Sequence, residues 1–157
     1  MKRLLIFLLI LCVVPVIAFG VDEVEVMLYG HNIYASLTGA QEVTGEAEIT
    51  VNGENTLYSY TVNGVDFGYV VKEGKVKTCF CRAKEENAGE LLSQAASALY
   101  NICGTDSISY WYVNLFDQFL TARAGKTSET NPYVNNVCMF QIERKNGIYT
   151  FIAAILY

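Results

Sequence analysis

The chain has 157 residues, with 11 Lys+Arg against 16 Asp+Glu and one histidine. Its first twenty residues read as a secretory signal: Lys2 and Arg3 make a basic start, an apolar run extends from Leu4 to Phe19, and Ala18-Phe19-Gly20 offers a small-residue cleavage site. Without Lys2 and Arg3, residues 21–157 carry nine basic groups against sixteen acidic ones, a net charge of −7, which argues against nucleic acid and anionic membrane as partners because no basic surface remains to neutralise phosphates.

The apolar run is shorter than the about 20 residues of a spanning helix and contains Pro15. Export to an extracellular or periplasmic space is therefore expected, with residues 21–157 as a single secreted domain and no membrane insertion of the mature chain. An uncleaved leader acting as a membrane anchor is the alternative.

In chain order, residues 23–28 and 32–37 read as a first pair of strands around Gly30-His31. Ala47, Ile49 and Val51 alternate with Glu46, Glu48 and Thr50, the pattern of a half-buried strand. Asn52-Gly53, Asn63-Gly64 and Asn146-Gly147 tolerate the positive φ of tight hairpin turns, and Glu73-Gly74 suits another. The alternating runs between them predict a meander, giving six strands before any helix.

Asn87, with Glu90 three residues on, predicts a capped helix start. Leu91, Leu92, Ala95, Leu99 and Ile102 then recur at helical spacing up to Gly104, with Glu90, Ser93, Gln94, Ser97 and Asn101 on the opposite side. That polar side has no basic residue, so the helix is expected to pack on the sheet and not on a membrane. Residues 107–113 read as a strand on the β propensity of Tyr110, Trp111 and Tyr112. A short helix capped by Asn114 follows through Leu115, Phe116, Phe119 and Leu120, and the polar residues 126–136 form the longest loop. A closing hairpin spans 137–145 and 148–157. Its last strand is apolar on both faces, which places it centrally. The predicted class is α+β: an antiparallel, twisted or partly rolled sheet of about eight or nine strands with one main helix packed on it.

Four cysteines follow the leader: Cys79, Cys81, Cys103 and Cys138. An even number in an exported chain favours disulfides. Cys79 and Cys81 share one strand face about 6–7 Å apart, which strains a direct bond, so the expectation is one bridge to Cys103 and another to Cys138. The spacing of a zinc knuckle is absent and no metal or cofactor is expected. His31 is read as a surface turn residue, because the serines around it lack a nucleophile context. Glu46 and Glu48 on one strand face, with Asp66 and Glu143 in other strands, leave room for carboxylate chemistry, though acids alternating on strands more often form a solvated face. No catalytic residue is assigned. Gly125-Lys126-Thr127 lacks the earlier glycine of a phosphate-binding loop and sits at the end of a helix.

Aromatics with polar tips suit glycan stacking or protein interfaces, so Tyr110, Trp111, Tyr112 and Tyr133 are the candidate ligand-binding residues. The segment Tyr34 to Val43, followed by Gly45 to Val51 and Thr56 to Val62, resembles the opening of chordin-type domains, which are extracellular β modules. The prolines usual after Gln41-Glu42-Val43 are missing, and the resemblance assigns no residue a role. The function expected from the sequence is a non-enzymatic, disulfide-stabilised binding or cell-envelope domain with a protein or glycan ligand. A small secreted hydrolase, or an inhibitor presenting the loop 126–136, is the alternative.

Overall fold

The computed structural model describes residues 22–105, 108–125 and 131–157. Within them the chain runs through α1 (Glu23–Thr38), β1 (Glu48–Asn52), β2 (Asn55–Val62), β3 (Val65–Lys72) and β4 (Lys75–Lys84). A 3-10 turn (Glu85–Asn87), α2 (Ala88–Cys103), α3 (Ile108–Arg123), β5 (Tyr133–Val134), β6 (Cys138–Lys145) and β7 (Ile148–Ile155) complete it. The expected leader lies outside the described residues. No described helix is long and apolar enough to cross a membrane.

The seven strands form one antiparallel sheet in the order β1-β2-β3-β4-β7-β6-β5. The class is α+β as expected, but with fewer strands and three helices where one main helix was foreseen. The turns carry the meander. Asn63-Gly64, Glu73-Gly74 and Asn146-Gly147 each place two consecutive residues at positive φ between paired strand ends. The first hairpin turns one residue later, at Gly53-Glu54, because Asn52 pairs with Asn55. β7, apolar on both faces, lies between β4 and β6, inside the sheet.

Two expected strands are one helix. Residues 23–38 fold as α1, with Asp22 as N-cap accepting from the Val24 N–H at 3.1 Å and Glu23 and Glu25 in the positive first turn. Gly39 closes it in the left-handed region, its N–H bonding Ala35 O. The inward residues Val24, Met27, Leu28, His31 and Ala35 recur at helical spacing. Residues 108–123 are likewise helical and not a strand followed by a short helix: Trp111, Leu115, Gln118, Phe119 and Ala122 make its buried stripe. Asn114, expected as a cap, sits inside α3 and donates to Tyr110 O at 2.8 Å.

The helices cover one face of the sheet. α2 lies in the middle, against β3, β4 and β7, with α1 on one side and α3, which also rests on β6, on the other. Its stripe of Leu91, Ala95, Leu99 and Ile102 meets Phe67, Tyr69, Cys79, Cys81 and Phe151 in the core. Burying each large apolar side chain there contributes about 1.5–3 kcal/mol. Gln94 and Ser97, assigned from the sequence to the solvent side, are fully buried, because α1 packs over that side. Asn87 makes no side-chain cap bond; its amide reaches toward Gly64 O at 3.5 Å. The opposite sheet face has no helix over it among the described residues, and Met139 and Ile152 are exposed there.

Candidate functional site

The α1–α2 contact is polar at its centre. His31 is fully buried, and its ring lies on Phe67 with centroids 4.3 Å apart. Gln94 Nε2 donates to Gln41 O at 2.7 Å and to Glu90 Oε1 at 2.8 Å, which orients the amide so that Gln94 Oε1 accepts from His31 Nε2–H at 2.6 Å. Glu90 Oε1 also receives the Gln41 N–H at 2.9 Å. Nδ1 of His31 is buried without a partner. Burial lowers the His31 pKa to about 4, against a smaller raising effect of the Gln94 bond. The ring is therefore neutral at physiological pH and serves as a buried lock, not as the surface turn residue expected from the sequence.

The neighbouring loop is tied to the same helix. Asn32 donates to Val43 O and accepts from the Val43 N–H, both at 2.9 Å, seating Val43 in the core.

Farther along the helical layer, an open groove of about 280 Å³ lies between the three helices. Leu37 and Thr38 of α1, Leu92, Ser93, Ala96 and Tyr100 of α2, and Tyr112 of α3 line it. Tyr34 stacks on Tyr100 at 5.2 Å, Tyr100 meets Trp111 edge-on at 4.9 Å, and Trp111 meets Tyr112 edge-on at 5.9 Å. Of these rings Tyr100 and Tyr112 line the groove, and Tyr34 and Trp111 pack against them by stacked and edge contacts. The Thr38 hydroxyl, on the groove lining, shares a hydrogen bond of 2.6 Å with the buried Ser97 hydroxyl. A lining of this kind offers apolar contact area with a few hydroxyls.

The four expected ligand-binding aromatics separate. In a helix Tyr110 and Tyr112 no longer share a face: Tyr112 lines the groove, while Tyr110 is exposed and absent from its lining. Trp111 is fully buried and supports the groove from beneath. Tyr133 stands on the edge strand β5, packed on Phe140 at 4.9 Å and away from the groove. Tyr34 and Tyr100 were missed, since their meeting requires α1 to be a helix. Of the loop 126–136, residues 126–130 lie outside the described residues. Asn131 O accepts from Gln118 Nε2 at 3.1 Å, and Tyr133–Val134 pair with β6.

Glu46, Glu48 and Asp66 are all exposed. Glu48 on β1 and Asp66 on β3 are separated by β2 and pair with Ser59 and Thr61, so these acids do not converge as a hydrolytic pair would. A second depression, of about 150 Å³, lies on the open sheet face beside Pro132, Met139, Ile152 and Ala154. Among the described residues no three His, Cys, Asp or Glu side chains cluster as a metal site.

All four cysteines stand as thiols. Cys79 and Cys81 face the core together, fully buried, and burial raises both pKa values well above the ordinary thiol range. Cys103 closes α2 with its sulfur 3.2 Å from that of Cys138. The expected bridge from the β4 pair to Cys138 does not suit this arrangement. β7 intervenes between β4 and β6, and two strand spacings amount to about 9–10 Å, beyond the about 7 Å between Cα atoms that a disulfide spans.

No family model matches the chain, and no match is found among curated proteins or solved structures. The resemblance to chordin-type domains gains no support from them, and the helix through Tyr34–Thr38 contradicts its β opening.

Proposed function

We propose that the chain is an exported, non-enzymatic binding domain whose three-helix groove seats an apolar or aromatic side chain of a protein partner. One observation carries this reading: the groove is open, walled by Tyr100 and Tyr112, and built across three separate elements. Its volume of about 280 Å³ lies at the lower end of ligand pockets, enough for one or two large side chains.

The surrounding surface favours a protein over a glycan. α1 exposes Val26, Tyr29, Ile33 and Leu37, and α3 exposes Val113, Phe116 and Leu120. Grouped apolar exposure of this kind marks protein contact surfaces, whereas the polar side-chain groups lining the groove are four hydroxyls, those of Thr38, Ser93, Tyr100 and Tyr112, with no charged or amide side chain. Export follows from the leader-like residues 1–20, and the acidic balance directs the partner away from polyanions.

The test is a selection of random displayed peptides on the purified protein, repeated with Ser93→Trp, which fills the groove from a half-buried position. Selected peptides should carry an aromatic or large aliphatic anchor and bind the variant at least about tenfold more weakly, about 1.4 kcal/mol. They should also perturb the fluorescence of Trp111, the only tryptophan. Peptides that bind both forms equally would place recognition elsewhere.

A further inference from the structure

Cys103 and Cys138 come from distant parts of the chain, 35 residues apart in sequence, yet their sulfurs touch at 3.2 Å. The contact is prepared on both sides. Gly104 stops α2 directly after Cys103, its N–H bonding Tyr100 O at 3.0 Å. Asn135 shapes the entry to β6: its Oδ1 accepts from the N–H groups of Val137 and Cys138 at 2.8 and 2.7 Å, while its Nδ2 reaches the Cys103 sulfur at 3.8 Å. One carboxamide thus fixes the backbone of one cysteine and polarises the sulfur of the other.

We infer that Cys103 and Cys138 are a redox pair that forms a disulfide by exchange with a small disulfide such as oxidised glutathione, while Cys79 and Cys81 remain thiols. The two partners divide the work. Cys103 is partly exposed and Cys138 fully buried, so an external disulfide reaches Cys103 first. Hydrogen bonding from Cys138, aided by Asn135, holds the Cys103 pKa down to about 7 and supplies thiolate near neutral pH. The same contact raises that of Cys138, which keeps its proton until the second step.

In the first step the Cys103 thiolate attacks one sulfur of oxidised glutathione, the glutathione S–S bond breaks, and one glutathione thiolate leaves. In the second, the Cys138 sulfur attacks the Cys103 sulfur of the mixed disulfide and expels the other glutathione thiolate, which takes the Cys138 proton. Two protein thiols and one glutathione disulfide give one protein disulfide and two reduced glutathiones. The product fastens the end of α2 to β6 and closes the segment carrying α3. Cys79 and Cys81 take no part, since they are sealed under the helices and their own union is strained.

This pairing rests on the sulfur contact and not on the ligand reading, and its test requires no ligand. The purified protein, reduced and then equilibrated in glutathione redox buffers, is trapped by alkylation under denaturing conditions and mapped by peptide mass. The expected product is a single intramolecular disulfide joining the Cys103 and Cys138 peptides, with Cys79 and Cys81 alkylated. The double variant Cys79→Ser/Cys81→Ser should form the same link, and Cys138→Ser should stop at the mixed disulfide on Cys103. A bond to Cys79 or Cys81, a covalent dimer, or four alkylated thiols in oxidising buffer would each overturn the inference.

Discussion

His31 shows how one side chain can be decided by its surroundings. In sequence it follows a glycine among mixed residues; in the fold it is sealed between α1, α2 and the ring of Phe67. Its pKa of about 4 in the folded protein lies below the about 6.5 of an unfolded histidine, so the unfolded chain binds the extra proton first. Its contribution to stability is complete above pH 6.5 and is lost as the pH falls toward 4. The loss should reach about 3 kcal/mol by pH 4. Urea unfolding at pH 7 and pH 4.5 measures it, and His31→Leu should flatten this part of the pH dependence while lowering stability at both. An equally steep slope in the variant would assign it to carboxylates. The hydrogen bond that satisfies the buried His31 ring has no local signal, because its partner Gln94 is 63 positions away.

At the scale of elements, the strands were legible and two helices were not. Alternation and tight-turn dipeptides are local signals, and six strands, β1–β4, β6 and β7, and their hairpins follow from them. α1 had its own signals: Asp22 with Glu25 three residues later at the start, Gly39 at the end, and Val24, Met27, Leu28, His31 and Ala35 along one side. β-branched residues and Gly30 pointed the other way, yet Gly30 is there for packing. A Cβ on it would collide with the Asn101 side chain, whose amide donates to Met27 O at 2.8 Å. In α3, the β propensity of three consecutive aromatics lost to burial of Trp111, Leu115 and Phe119 against β6 and α2. Gly68 plays a comparable part in the sheet, where a Cβ would overlap Tyr58 O and the Phe80 ring. Gly68→Ala should therefore cost about 1–3 kcal/mol, read as a lower denaturation midpoint. An unchanged midpoint would mean that β2 and β4 yield easily.

For the whole molecule, α1, α2 and α3 form a layer over one face of the sheet, and the groove exists only because all three are present. Its Tyr100 and Tyr112 rings, and the Tyr34 and Trp111 rings packed against them, come from segments scattered over the chain. The Cys103–Cys138 link would stabilise this layer by restricting the unfolded chain, by about 3–4 kcal/mol for a loop of this length. Calorimetry of the oxidised protein with and without a thiol reductant should show a lower Tm on reduction. Cys103→Ser, already without the link, should show no response to the reductant. Equal responses from both proteins would locate the effect outside this pair.

The α+β class, the hairpin meander, the central place of β7 and the helix 88–103 are written in local sequence, because turn chemistry and hydrophobic period act within a few residues. Local sequence also makes Cys79 and Cys81 share a face. Long-range packing makes helices of residues 23–38 and 108–123, places His31 and Trp111 in the interior, and brings Cys103 to Cys138. Each of those outcomes depends on which distant surface an apolar stripe finds to cover it, and the free energy of that burial exceeds the small local preferences that pointed elsewhere.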